Sequence, residues 1–119
     1  MKVNVGDMLN ERDWQKVVVN YARLGGWMYH HELPSQRAHG RWTTHASGDA
    51  GFPDLVLVHP SGQVIIAELK TAKGKLSGAQ EAWLKGLRDA GLEVHVWRPI
   101  DRQHVEYRLT RWAEFADKS

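Results

Sequence analysis

The sequence contains no cysteine, which excludes a disulfide framework, a thiolate nucleophile and any cysteine-type zinc site, and fits a reducing compartment. No apolar run comes near the roughly 20 residues needed to cross a bilayer, and Met1 to Asn10 lacks the apolar core of a signal peptide. A membrane role is therefore not expected. Internal repeats, low-complexity tracts and linker-like segments are missing too, so the 119 residues are read as a single domain spanning 1–119, large enough for one core and too short for two. Histidine is present without zinc spacing: His30, His31, His39, His45 and His59 include no His-x-x-x-His pair on a helix. What remains is ordinary for a globular chain, 42% hydrophobic and 25% charged, with net charge +2. That charge permits a polyanionic partner without identifying one. Six tryptophans exceed the usual need of so small a core; core packing is the expected use for most of them, and base stacking is one use for a surplus.

Periodicity orders the chain as alternating helix and strand. Asn10 is placed to cap a helix with Glu11 and Asp13 in its first turn and an apolar stripe of Trp14, Val17, Val18, Tyr21 and Leu24, ended by Gly25 and Gly26. Trp27 to His31 reads as a short strand. Leu33 to Gly51 is polar, shows neither period, and reads as a surface loop. Asp54 to His59 and Val64 to Lys70, separated by Pro60 to Gln63, form a predicted hairpin. In the second of these strands Val64 and Ile66 share a face with Glu68, while Ile65, Ala67 and Leu69 occupy the other, the pattern of a central strand covered on both sides. A loop from Thr71 to Leu76 leads to Ser77, the cap of a second helix carrying Gln80, Trp83, Leu84 and Leu87 and closed by Gly91. Strand Leu92 to Arg98 is stopped by Pro99. The tail is open to two readings: His104 to Leu109 alternates like an edge strand, while Asp101 and Thr110 are each placed to cap helix, the latter through Phe115.

Chemistry concentrates at one end of the hairpin. Antiparallel pairing brings Asp54 near Glu68, and the two-residue strand period puts Glu68 and Lys70 on one face. Two carboxylates buried together call for a cation, and hard oxygen donors favour Mg2+ or Mn2+. Glu11, bordering the core-facing stripe of the first helix, is a candidate third carboxylate. A cation with few protein ligands accepts phosphate oxygens, the arrangement for in-line attack on a phosphodiester, with Lys70 positioning water or offsetting developing charge.

Taken together, Glu11 to Gln15, the double glycine before Trp27, Gly51-Phe52-Pro53-Asp54-Leu55, Glu68-Leu69-Lys70, Ser77 to Gln80 and Val96-Trp97-Arg98-Pro99 resemble the VRR-NUC branch of the PD-(D/E)xK nucleases in its minimal stand-alone form. The resemblance implies an α/β, restriction-endonuclease-like core, a mixed central sheet flanked by helices. It also implies a Mg2+ or Mn2+ ion held by Glu11, Asp54, Glu68 and the Leu69 carbonyl, with phosphodiester hydrolysis leaving a 5′-phosphate. Lys70 matches the catalytic lysine, and Gln80 falls on a helical glutamine that supports the active site. Small stand-alone members look like dimeric cutters of branched DNA, including four-way (Holliday) junctions. The expected chain is thus a homodimeric endonuclease in the cytoplasm of a bacterial or phage-infected cell.

Other readings stand beside this one. Arg37, Arg41, Lys73 and Lys75 lie in loops flanking the site, where they either contact backbone phosphates or are simply solvated. Trp42 either stacks on a base or anchors its loop, and Gln80 is either an active-site support or an ordinary helix residue. For the whole chain the alternatives are a flap-type nuclease, a module that binds branched DNA without cutting it, and a structural protein in which Glu68 and Lys70 form a buried ion pair with Glu11.

Overall fold

The computed structural model describes residues 9–32, 35–36, 42–43 and 47–116. In chain order its elements are α1 (Glu11–Leu24), β1 (Met28–His31), β2 (Ser35–Gln36), β3 (Trp42–Thr43), β4 (Leu55–His59), β5 (Gln63–Leu69), α2 (Gly78–Asp89), β6 (Glu93–Trp97) and α3 (Arg102–Ala116), the last preceded by a 3-10 turn, Pro99–Asp101. Four strands form the main sheet in the order β1-β4-β5-β6. The first two pairings are antiparallel and β5 runs parallel to β6, so α2 is the crossover that a parallel pair requires. β2 and β3 pair antiparallel as a separate two-stranded sheet, within the stretch read as a loop.

The alternation along β5 sorts the core into two layers. Ile65, Ala67 and Leu69 pack with Trp14, Val18 and Ala22 of α1 and with Val105 and Leu109 of α3. Ile66, on the other face, packs with Leu84 of α2 and Val94, and Val56, Val64 and Leu87 gather round them. The sheet is therefore covered on both sides, and the even-numbered face of β5, which carries Glu68, is the face α2 covers.

Local chemistry explains the boundaries. Asn10 caps α1, its side chain accepting from Asp13 N–H at 2.8 Å. The helix ends on Gly25, whose backbone lies so close to Leu109 that an added Cβ would sit 1.7 Å from its carbonyl oxygen, and on Gly26, at φ +82. Both members of the double glycine are thus required, one by contact and one by conformation. α2 starts with a full capping box between Ser77 and Gln80.

The tail is helical. Tyr107 is exposed while Val105 and Leu109 are fully buried, so the burial period is four residues, not two. Thr110 is inside α3, where its hydroxyl donates to the Glu106 carbonyl at 2.6 Å, and it caps nothing. Among the described residues no helix is long and apolar enough to cross a membrane.

Candidate active site

Continuing the β4/β5 register past Leu55↔Ala67 places Asp54 opposite Glu68 and Pro53 opposite Leu69. The consequence lies in hydrogen bonding. Odd-numbered residues of β5 face β4 with their backbone groups, so Leu69 would exchange both its N–H and its C=O with position 53. Proline has no N–H to give. Asp54 fills half of the gap: its Oδ2 accepts from Leu69 N–H at 2.9 Å. The ladder thus stops where two oxygen groups, the Asp54 carboxylate and the Leu69 carbonyl, meet at the sheet end beside Glu68. On its other side Asp54 is tied to the edge strand, its carbonyl accepting from Glu32 N–H at 2.9 Å.

Glu68 is the one buried charged side chain among the described residues, at 1% exposure. Its Oε1 accepts from Gln80 Nε2 at 3.4 Å, while its Oε2 is buried and no N–H or hydroxyl donor among the described residues reaches it. Burial pushes its pKa up to about 8, helped by a shared-proton bond and charge repulsion with Asp54 and, last, by Glu11; Lys70 alone pulls it down. Two facing carboxyls can be satisfied only by a proton between them or by a cation.

Gln80 is held from both directions, since its Oε1 accepts from Ser77 N–H at 2.9 Å and its own N–H donates to Ser77 Oγ at 3.1 Å. The capping box of α2 therefore fixes the amide that faces Glu68. Gly51, at φ +97, lets the approach to Asp54 pass against α2: an added Cβ would lie 2.5 Å from the Ala79 carbonyl carbon. Phe52 packs edge-on against Trp83 at 5.0 Å, and Trp83 Nε1 donates to the Asp49 carbonyl at 3.2 Å. The Gly-Phe-Pro-Asp run is thus built onto the same helix that presents Gln80.

Lys70 lies just past β5, yet its N–H still donates to the Trp97 carbonyl at 3.0 Å. The same carbonyl accepts Trp14 Nε1 at 2.9 Å, so α1 and β6 together fix the backbone that carries Lys70. Glu11 is exposed on the first turn of α1 and is the outlying member. Among the described residues no three acidic or histidine side chains close round one point as they would about a bound ion. The donor set nevertheless suits a hard divalent cation: the orphaned Glu68 oxygen, the Asp54 carboxylate and a neighbouring carbonyl.

Lys73 and Lys75 are exposed in the loop after Lys70. Sequence reasoning missed what shapes that loop: Arg98 Nη1 donates to the carbonyls of Thr71 at 2.7 Å and Gly74 at 2.6 Å. Beforehand Arg98 stood out only as part of the closing Val96-Trp97-Arg98-Pro99 run, with no role attached to its side chain. Arg37 and Arg41 lie outside the described residues, as does the side chain of Trp42.

Comparison with known proteins bears on the family and the fold. The family model of the VRR-NUC domain matches residues 2–99. A solved structure described as a VRR_NUC domain superposes with a TM-score of 0.60 at 21% identity, over 86% of this chain and 96% of that one. A second, a VRR_NUC domain protein, gives 0.52 at 21%, over 89% of each chain. These likenesses speak for a shared fold, the restriction-endonuclease-like core. No curated protein matches the sequence.

Proposed function

Because the chain belongs to the VRR-NUC domain family, and so to a nuclease-type class of DNA-processing domains, we propose that it is a Mg2+- or Mn2+-dependent endodeoxyribonuclease acting on branched DNA, four-way junctions foremost. The observation that carries this reading is Glu68, a buried carboxyl facing Asp54 and flanked by Lys70, with one oxygen that no N–H or hydroxyl donor among the described residues reaches.

Asp54, Glu68 and the Leu69 carbonyl, joined by Glu11, would hold the cation. Bound there, it supplies positive charge to the phosphate oxygens and makes a nearby water more acidic. The protein's own groups do the rest. Gln80 orients the Glu68 carboxylate, and the Leu69 N–H fixes that of Asp54. Lys70, on the Glu68 face, orients the attacking water and offsets the charge that develops on the phosphoryl group. The water oxygen forms a bond to phosphorus as the bond to the 3′-oxygen breaks. The attacking water gives up a proton to solvent, a proton from solvent completes the 3′-hydroxyl, and the 5′-phosphate stays on the downstream fragment of the cut strand. A homodimer would present two such sites to two scissile strands.

The test is cleavage of labelled four-way junction, 5′-flap and plain duplex DNA with Mg2+ or Mn2+, beside a Lys70→Ala protein. Paired nicks in the junction, absent from the variant, are expected. Cutting of flaps alone would leave a nuclease and remove the junction reading, and binding without any cutting would make the chain a recognition module.

A further inference from the structure

A second surface leads away from this centre. Arg12, Lys16 and Asn20 stand at i, i+4 and i+8 on α1 and so form one ridge. With Tyr29, His30 and His31 of β1 they line a cleft of about 530 Å³. Among the described residues no acidic side chain lines it: Glu11 and Asp13 flank Arg12 on the first turn of α1 without lining the cleft, and Glu32, next to His31, is engaged by His30 Nε2 at 3.1 Å. Among the described residues His31 Nε2 has no hydrogen-bond partner.

Both walls start at the acidic centre. Arg12 follows Glu11 in sequence, and His31 pairs with Leu55, the residue after Asp54. Along α1 the acids Glu11 and Asp13 of the first turn thus give way to Arg12 and Lys16 on the cleft side. A polyanion with one phosphate at the carboxylates has its neighbouring phosphates beside fixed cations.

Resting on the nuclease reading above, we infer that the α1/β1 cleft is the track along which the cleaved DNA strand leaves the centre. Arg12 and Lys16 neutralise consecutive backbone phosphates, and His30 and His31 supply hydrogen bonds. Because these contacts are to the backbone, the cleft binds without regard to base sequence.

The experiment is equilibrium binding of labelled four-way junction and plain duplex DNA, with Ca2+ in place of Mg2+, as a function of salt. It compares wild type with Arg12→Ala/Lys16→Ala, the conservative Arg12→Lys/Lys16→Arg pair, and a control pair, Lys85→Ala/Arg88→Ala, on the exposed side of α2. The alanine pair is expected to bind both DNAs roughly tenfold more weakly at low salt, and to flatten the plot of log affinity against log salt by about 2. Its melting temperature should not change, and the conservative pair should restore binding. Unchanged affinity and slope in the alanine pair of a wild type that binds and cuts DNA would overturn the track alone. An equal loss in the control pair would reduce the effect to net charge and also overturn it. A wild type that neither binds nor cuts would overturn the nuclease reading and the track with it.

Discussion

The orphaned carboxyl of Glu68 sets a pH dependence of stability whose sign is opposite to that of an ordinary salt-bridged acid. The group moves from 4.5 in the unfolded chain to about 8 in the native one. Below 4.5 both states hold the proton, and pH has no leverage through Glu68. Between 4.5 and 8 the native chain keeps a proton that the unfolded chain has released, so stability falls as pH rises. Above 8 the loss is complete. Each decade is worth about 1.4 kcal/mol, so the whole window amounts to on the order of 4–5 kcal/mol, a large share of the 5–15 kcal/mol typical of a domain. In thermal melts followed by circular dichroism with a chelator present, the melting temperature should drop by on the order of 15 °C across the window. Glu68→Gln keeps a neutral, hydrogen-bonding side chain and should abolish the slope. Saturating Mg2+ takes the proton's place between Glu68 and Asp54 and should restore wild-type stability at high pH, but not that of the variant. Glu93 does not confuse the window. Although burial alone would raise it, bonds from Arg108 and His95 hold it below its usual range, so its contribution is lost only in more acidic solution. A flat or rising profile in the wild type, or an unaltered slope in Glu68→Gln, would refute the reasoning.

Gly51→Ala forces a side chain into φ +97 against the Ala79 carbonyl and should cost about 2–4 kcal/mol in urea unfolding, with cleavage falling further than stability explains. Trp14→Phe removes the donor to the Trp97 carbonyl from a fully buried site; a loss of about 1–3 kcal/mol by the same assay is expected, and a neutral result would contradict it. Gln80→Glu keeps the capping box but sets a carboxylate against Glu68; metal affinity and cleavage should fall with little change in melting, whereas Gln80→Ala should also weaken α2 by about 1 kcal/mol. Arg98→Ala releases the carbonyls of Thr71 and Gly74 and should weaken DNA binding while leaving metal titrations unchanged.

What could be read in the sequence was whatever repeats along a single element. The α1 stripe, the alternation that puts Glu68 and Lys70 on one face of a doubly covered strand, and the Ser77 cap all depend on neighbours a few residues away. Antiparallel pairing of the two strands brought Asp54 near Glu68, and the register put them directly opposite. The tail failed this test because Val105, Tyr107 and Leu109 satisfy both periods; only the packing of Val105 and Leu109 with α1, which leaves Tyr107 outside, separates them. Arg98 was invisible as a support because its acceptors are backbone carbonyls 27 and 24 residues away, and no side-chain pattern marks a carbonyl. The contact of Gly51 with Ala79 is likewise tertiary. Pro53 could be seen, but its effect on Leu69 needed the strand register.

The most direct test of the account is single-turnover cleavage of a labelled four-way junction in Mn2+, wild type beside Asp54→Ala. Asp54 sits at the half-buried sheet end, so the variant should fold, with a loss of about 1–3 kcal/mol for the Leu69 N–H left without its acceptor. The account predicts that this variant loses metal-dependent cutting altogether while still binding the junction. Metal-dependent cleavage that persists in purified Asp54→Ala would contradict the assignment of the active site to the Asp54 and Glu68 carboxylates.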